Sequence, residues 1–231
     1  MENYRPSDDI TVTIHSIGTE QTPVMVIDHL CAEPELLLRA AAQAHFIDIG
    51  PTYPGVRAPS PSGYGDWVLK LFASQLRDLY GGNAPWGFDL CAFSLVTTPP
   101  AALTPLQSLP HFDGVEATRL AFLHYLCEGE HGGTSFYRQR ATGFERLSPD
   151  RLHPYLLHLK KETTPKERHS YFMGSNASFE RIGGVEAQFN RAIFYPGSLL
   201  HSGDILAPHL LSENVRTGRL TINGFVVLEP F

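Results

Sequence analysis

The stretch 110-PHFDGVEATRLAFLHYL-126 sets a histidine and an aspartate one residue apart, follows them with an Asp-Gly turn dipeptide, and continues into apolar residues with the period of a strand. Two good metal ligands, His111 and Asp113, therefore stand directly before what reads as a core strand. One residue between them lets both side chains leave the same face of an extended segment. The pair alone is weak. With 11 histidines in 231 residues, chance supplies about one His-x-Asp, and Asp113-Gly114 also suits an ordinary surface turn. The surrounding sequence has to decide.

Upstream, ITVTIH (10–15) alternates with period two and PVMVIDHL (23–30) is rich in β-branched residues, so both predict strands. EPELLLRAAAQAHF (33–46) predicts a helix, with Pro34 in its first turn and Leu36, Leu37, Ala40, Ala41 and Ala44 on one face. The segment 50-GPTYPGVRAPSPSGYG-65 is dense in Gly, Pro and Ser and predicts a long loop, the kind that commonly closes over a site. GDWVLKLFASQLRDLYGG (65–82) returns to helical period and stops at a glycine pair.

Downstream, DLCAFSLVTT, TRLAFLHYLCE, GTSFYRQRAT, EAQFNRAIFYPGSLLHSG and RLTINGFVVLEP are strand-like segments parted by Gly and Pro turns. One helix, 148–165, interrupts them, with Ser148 or Asp150 at its start. There is no internal repeat and no linker. The expected fold is mostly β with flanking helices around a double-stranded β-helix (jelly-roll, cupin-like) core. It is expected as a single domain over 1–231, with an N-terminal α/β layer in 1–88 and the core in 89–231.

The composition, 42% hydrophobic and 18% charged, is that of an ordinary globular protein. A formal charge of −6 without a basic stripe argues against a nucleic-acid partner. The opening MENYRPSDDITV lacks a signal pattern and no window suits a membrane span, so a cytoplasmic protein with no membrane partner is expected. Cys31, Cys91 and Cys127 sit in apolar runs without CxxC spacing and read as reduced thiols.

Two further motifs strengthen the His-x-Asp pair. In 194-FYPGSLLHSGDI-205 a strand and a Pro-Gly turn lead to His201, and in 218-GRLTINGFVVLEP-230 Arg219 enters an apolar strand with Thr221 on the same face. An inward guanidinium needs a partner, and a bound carboxylate would serve. Two neutral imidazoles and one carboxylate hold iron(II) on one face and leave the others open. A 2-oxo acid chelates such an open face, and its far carboxylate suits Arg219 with a hydroxyl such as that of Thr221.

The order His111-x-Asp113, Tyr125-Leu126, 132-GGTSFY-137, His201 and Arg219-x-Thr221 resembles the iron(II)- and 2-oxoglutarate-dependent dioxygenase superfamily, specifically its prolyl-hydroxylase-like branch, over about residues 90–228. The resemblance implies that His111, Asp113 and His201 bind iron, that Tyr125 hydrogen-bonds 2-oxoglutarate, and that Arg219 with Thr221 holds its distal carboxylate. It also implies O2 as cosubstrate, release of succinate and CO2, and hydroxylation of a small molecule or of a peptide or protein side chain. The interval between His201 and Arg219 is longer than is usual there, and it includes Arg216 in a turn.

His124, His131, His169 and His209 read as hydrogen-bonded or surface imidazoles, Arg138 and Arg140 as a solvated strand edge, and Asn190 as a partner for backbone groups. Two other classes stay open: a cupin-like metalloprotein that uses the same triad without 2-oxoglutarate, and a non-catalytic jelly-roll binding module.

Overall fold

The computed structural model describes residues 4–81, 86–162 and 170–228, of which 161, 162 and 228 by backbone alone. The chain opens with the hairpin β1 (Thr11–Ile17) and β2 (Thr22–Asp28), then α1 (Glu35–Gln43), β3 (Ile47–Asp48), β4 (Gly55–Pro59), α2 (Tyr64–Tyr80) and β5 (Trp86–Val96). β6 (Leu120–Tyr125), β7 (Thr134–Gln139), α3 (Pro149–Glu162), β8 (Phe179–Val185), β9 (Arg191–Pro196), β10 (His201–Gly203) and β11 (Arg219–Leu228) follow. The strands form an eight-stranded sheet in the order β1-β2-β9-β6-β11-β5-β4-β3 and a three-stranded sheet in the order β10-β7-β8. Every pairing is antiparallel. This is the double-stranded β-helix core with flanking helices that the strand pattern predicts.

Alternation along the central strands sorts the two faces of the large sheet. Phe93, Leu95, Phe122, Phe194, Leu220 and Ile222 point one way, onto Leu37 and Ala41 of α1 and Val68, Phe72 and Leu76 of α2. Each large apolar side chain buried there contributes about 1.5–3 kcal/mol. Ala121, Tyr125, Ile193 and Tyr195 point the other way and meet Phe136 and Val185 of the small sheet. The predicted N-terminal layer is thus only partly a layer. Its helices cover the outer face, while β1, β2 and β4 are hydrogen-bonded into the same sheet as the core strands.

The long loop expected at 50–65 is a correction. Gly55–Pro59 is a strand that pairs with β3 and β5, and α2 begins at Tyr64, so this segment forms a wall of the sandwich and not a lid. Its glycine and proline serve strand packing: a Cβ on Gly55 would lie 1.9 Å from the Leu95 carbonyl oxygen, so only glycine allows β4 to approach β5. The strand β8 shows no strand period in its sequence, because FERIGGV mixes charges with a glycine pair. Residues 163–165 of the third predicted helix lie outside the described residues. No helix among the described residues is long and apolar enough to cross a membrane, and all three cysteines are free.

Candidate metal centre

His201, on β10, is bonded back to back with His111: each backbone N–H donates to the other's carbonyl at 2.8 Å. Residues paired directly across an antiparallel bridge project to the same side, so the imidazoles meet, with ring centroids 4.3 Å apart. The Asp113 N–H donates to the Gly197 carbonyl at 2.7 Å, which fixes the His-x-Asp segment to the turn after β9. Asp113 Oδ2 lies 3.5 Å from His201 Nε2, and Oδ1 lies 3.9 Å from His111 Nε2. One ligand atom from each of the three residues falls within 4.8 Å of the others, the one such group among the described residues.

The donor set fits a divalent transition metal. His201 Nδ1 stands 2.8 Å from the Leu199 carbonyl. A carbonyl only accepts, so Nδ1 carries the proton and Nε2 presents its lone pair to the centre. Burial pushes the His201 pKa down to about 4. Partial desolvation of a ring that keeps 55% of its side chain exposed, together with the neighbouring His201, lowers the His111 pKa as well, so both imidazoles are neutral at pH 7. Burial pushes the Asp113 carboxyl up, opposed by His111, Arg119 and Arg57, and a cation at the centre would favour its charged form. The side chains of His201 and Asp113 are 6% and 10% exposed but that of His111 is 55% exposed, which leaves the centre open on the His111 side.

Beside this centre lies a polar row. Arg57, Ser94, Thr221 and Tyr125 stand opposite one another on β4, β5, β11 and β6 and face the interior of the sandwich. The Tyr125 hydroxyl is 2.7 Å from Thr134 Oγ1, and burial raises its pKa to about 12 against the charge of Arg219. Thr221 Oγ1 donates to Asn223 Oδ1 at 2.5 Å.

Arg219 is 4% exposed, and its Nε and one terminal nitrogen donate to the carbonyls of Gly132 and Gly133 at 3.3 and 2.8 Å. No carboxylate reaches ion-pair distance of it among the described residues. Asp204, whose carboxyl burial pushes up against the Ser135 hydrogen bond and the charges of Arg181 and Arg219, accepts from the Ser135 hydroxyl at 2.7 Å. A Cβ built on Gly203, two residues from His201, would lie 3.6 Å from the Arg219 guanidinium, so this cation faces the strand that carries the ligand. Arg216 is exposed in its turn.

The glycine pair 132–133 is uninformative as sequence. In the structure a Cβ on Gly133 would lie 1.9 Å from the Val185 carbonyl oxygen, so glycine lets this turn pack tightly where it offers carbonyls to Arg219.

Sequence reasoning misses Arg57 and Tyr53, because both fall in the segment expected to be a loop. The Arg57 guanidinium carbon sits 4.4 Å over the Tyr53 ring. Arg57 Nε and the Tyr53 hydroxyl are both buried without a hydrogen-bond partner among the described residues. His124, His131 and His209 stand outside the three-residue group, and His169 lies outside the described residues. Arg138 differs from the expected solvated edge, since it pairs with Glu145 and Glu180.

A family model described as a family of unknown function (DUF6445) matches residues 8–226. No curated protein matches the sequence. Among solved structures, the chain is similar to HygX from Streptomyces hygroscopicus with nickel and 2-oxoglutarate bound, at 13% identity and a TM-score of 0.51, over 92% of this chain and 85% of that one. It is also similar to SnoN, a non-heme alpha-ketoglutarate-dependent epimerase from nogalamycin biosynthesis, at 13% identity and a TM-score of 0.51, over 91% and 82% of the two chains. At such identity the likeness is one of fold.

Proposed function

Because the chain belongs to DUF6445, a family of unknown function, we propose its activity from the site itself: an iron(II)- and 2-oxoglutarate-dependent oxygenase. The observation that carries this reading is Arg219, a buried guanidinium that meets carbonyls and, among the described residues, no carboxylate, set against the strand that presents His201 to His111 and Asp113. Burial of an unpaired cation is costly unless a ligand supplies the anion. The dicarboxylate 2-oxoglutarate offers one carboxylate to Arg219 and a chelating keto acid to the metal. HygX, with nickel and 2-oxoglutarate bound, and SnoN lend support through a shared fold. The motif order favours the prolyl-hydroxylase-like branch.

In this proposal His111, Asp113 and His201 hold the metal from one side. His201 is oriented by its Nδ1–H to Leu199, and Asp113 brings the single anionic ligand. Arg219 pairs with the distal carboxylate of 2-oxoglutarate, assisted by the hydroxyls of Thr221 and Tyr125. When bound, iron(II) supplies the coupling of O2 activation to decarboxylation of 2-oxoglutarate, with succinate and CO2 released and an unactivated C–H oxidised. Buried Tyr195 packs edge-on against His201, 4.9 Å between centroids, and forms the apolar inner wall of the centre. We read the reaction as hydroxylation of a small molecule or of a peptide or protein side chain.

Anaerobic titration of the protein with iron(II) and 2-oxoglutarate tests the reading. A weak visible charge-transfer band is expected. His201→Ala should abolish it, and Arg219→Ala should leave iron bound but weaken 2-oxoglutarate by about 10- to 100-fold, the value of a charge-assisted pair. Iron binding without a band would point to a cupin-like metalloprotein, and no iron binding to a binding module.

A further inference from the structure

Resting on the oxygenase reading, we propose that Arg57 recognises a negatively charged group of the substrate, a carboxylate or a phosphate, and so restricts the enzyme to anionic substrates. Arg57 lies on β4, opposite Ser94 of β5, on the same interior face as Thr221 and Tyr125. Its guanidinium is stacked over Tyr53 at 4.4 Å, its Nε is buried without a partner, and it makes no ion pair among the described residues. By contrast Arg119, Arg138, Arg146, Arg151 and Arg191 each meet a carboxylate. Burial disfavours the Arg57 charge, while Asp113 and Tyr53 favour it. The register that places Arg57 on the interior face beside Ser94, Thr221 and Tyr125 puts it on the side of the sheet from which the metal centre is reached, and its charge acts on both His111 and Asp113.

Two alternatives for this cation are weaker. Asp113 cannot serve as its permanent partner, because the metal claims the carboxylate. A second clamp on 2-oxoglutarate is disfavoured by placement. Arg57 stands two strands from Thr221, on the order of 10 Å at the spacing of neighbouring strands, whereas the distal carboxylate is held at Arg219. Charge balance agrees. A divalent metal with Arg57 and Arg219, set against Asp113 and the 2-oxoglutarate dianion, leaves one positive charge, and Asp204 is offset by Arg181 beside the same serine hydroxyl. A substrate anion neutralises it. The planar guanidinium, held on Tyr53, presents an edge suited to two-point pairing.

The test uses protein loaded with iron(II) and 2-oxoglutarate under argon and a fragment set of matched pairs: carboxylic acids with their primary amides, and phosphate monoesters with their alcohols. Binding is read by the shift of the charge-transfer band and by the melting midpoint. Anionic members are expected to bind wild type better than their neutral counterparts, and Arg57→Gln should weaken them at least about tenfold while 2-oxoglutarate affinity stays within about twofold. Enrichment of the acids or of the phosphates identifies which anion is read.

Equal binding of anionic and neutral members would overturn the proposal, as would anion binding unchanged in Arg57→Gln. Loss of 2-oxoglutarate affinity as large as in Arg219→Ala would also overturn it, by assigning Arg57 to the cosubstrate. Should Arg57→Gln fail to fold, Arg57→Lys carries the test. It keeps the charge without the planar edge, so weakened anion binding supports two-point pairing and unchanged binding refutes it. Absence of the band in wild type refutes the oxygenase reading separately, because the melting measurement still reports whether anions depend on Arg57.

Discussion

Asn190 holds a left-handed backbone conformation, φ 65°, that β-carbon-bearing residues seldom adopt. Its amide explains why it is tolerated. Oδ1 accepts the Cys31 N–H at 3.0 Å and Nδ2 donates to the Cys31 carbonyl at 2.8 Å, so one side chain satisfies both backbone groups of a buried residue after β2. The same Oδ1 stands 3.2 Å from His124 Nε2, and His124 Nδ1 lies 2.7 Å from the Tyr64 hydroxyl. An amide oxygen only accepts, so His124 donates from Nε2 and accepts the Tyr64 proton at Nδ1. This polar chain crosses the helix-facing core and explains why His124, one residue from Tyr125, takes no part in the metal centre. Asn190→Ala should cost about 3 kcal/mol, from three lost buried bonds and the left-handed strain. Urea denaturation would read that loss, while the charge-transfer band of the metal- and 2-oxoglutarate-loaded protein should be unchanged.

The hairpin of β3 and β4 shows how an element escapes sequence reading. Edge and bulge positions tolerate glycine and proline for geometric reasons, so a Gly- and Pro-dense run can be a strand. Gly55→Ala puts a Cβ 1.9 Å from the Leu95 carbonyl oxygen and must push β4 from β5. A loss of about 1–3 kcal/mol is expected. Because β4 carries Arg57, preference for anionic fragments should fall with it, while 2-oxoglutarate affinity on β11 holds. Unaltered melting and unaltered selectivity in Gly55→Ala would refute this coupling.

The contrast with His111, Asp113 and His201 is instructive. His111 and Asp113 are one residue apart and His201 follows the plain alternation of β9 and its Pro-Gly turn, so the candidate ligands can be picked from sequence. Arg219 and Thr221 are legible for the same reason. Arg57 is not, because its direction depends on a register with Ser94 that no local pattern encodes. β8 likewise becomes a strand through pairing with β7 rather than through its own propensity.

At the scale of the molecule, the two sheets are joined on one side by apolar packing and on another by a charged cluster. Glu145 has no exposed surface. It accepts hydrogen bonds from the Thr19 and Glu20 backbone N–H groups, each at 3.0 Å, from the Thr19 hydroxyl at 2.9 Å, and from Arg138 Nε at 2.9 Å. Glu20 in turn meets Arg146 at 3.0 Å and Arg151 of α3 at 2.6 Å. The turn between β1 and β2, on the large sheet, is thus tied to β7 of the small sheet and to α3. Burial pushes the Glu145 pKa up, but the hydrogen bonds from Glu20, Arg138 and Thr19 outweigh it, and the net shift is below the ordinary value of 4.5. A carboxyl with a lowered folded-state pKa binds its proton more readily when unfolded. Its contribution is therefore complete above about pH 4.5 and is lost as the pH falls through the folded value.

Stability measured by urea midpoint should accordingly decline below pH 4.5, and Glu145→Gln should remove part of that decline. At neutral pH the same substitution should cost about 1–3 kcal/mol, since an amide cannot accept all the hydrogen bonds that the buried carboxylate takes from Thr19, Glu20 and Arg138, while Arg138 keeps Glu180. A Glu145→Gln protein with the wild-type midpoint at pH 7 and the wild-type acid profile would show that the sheets are held by their apolar face alone.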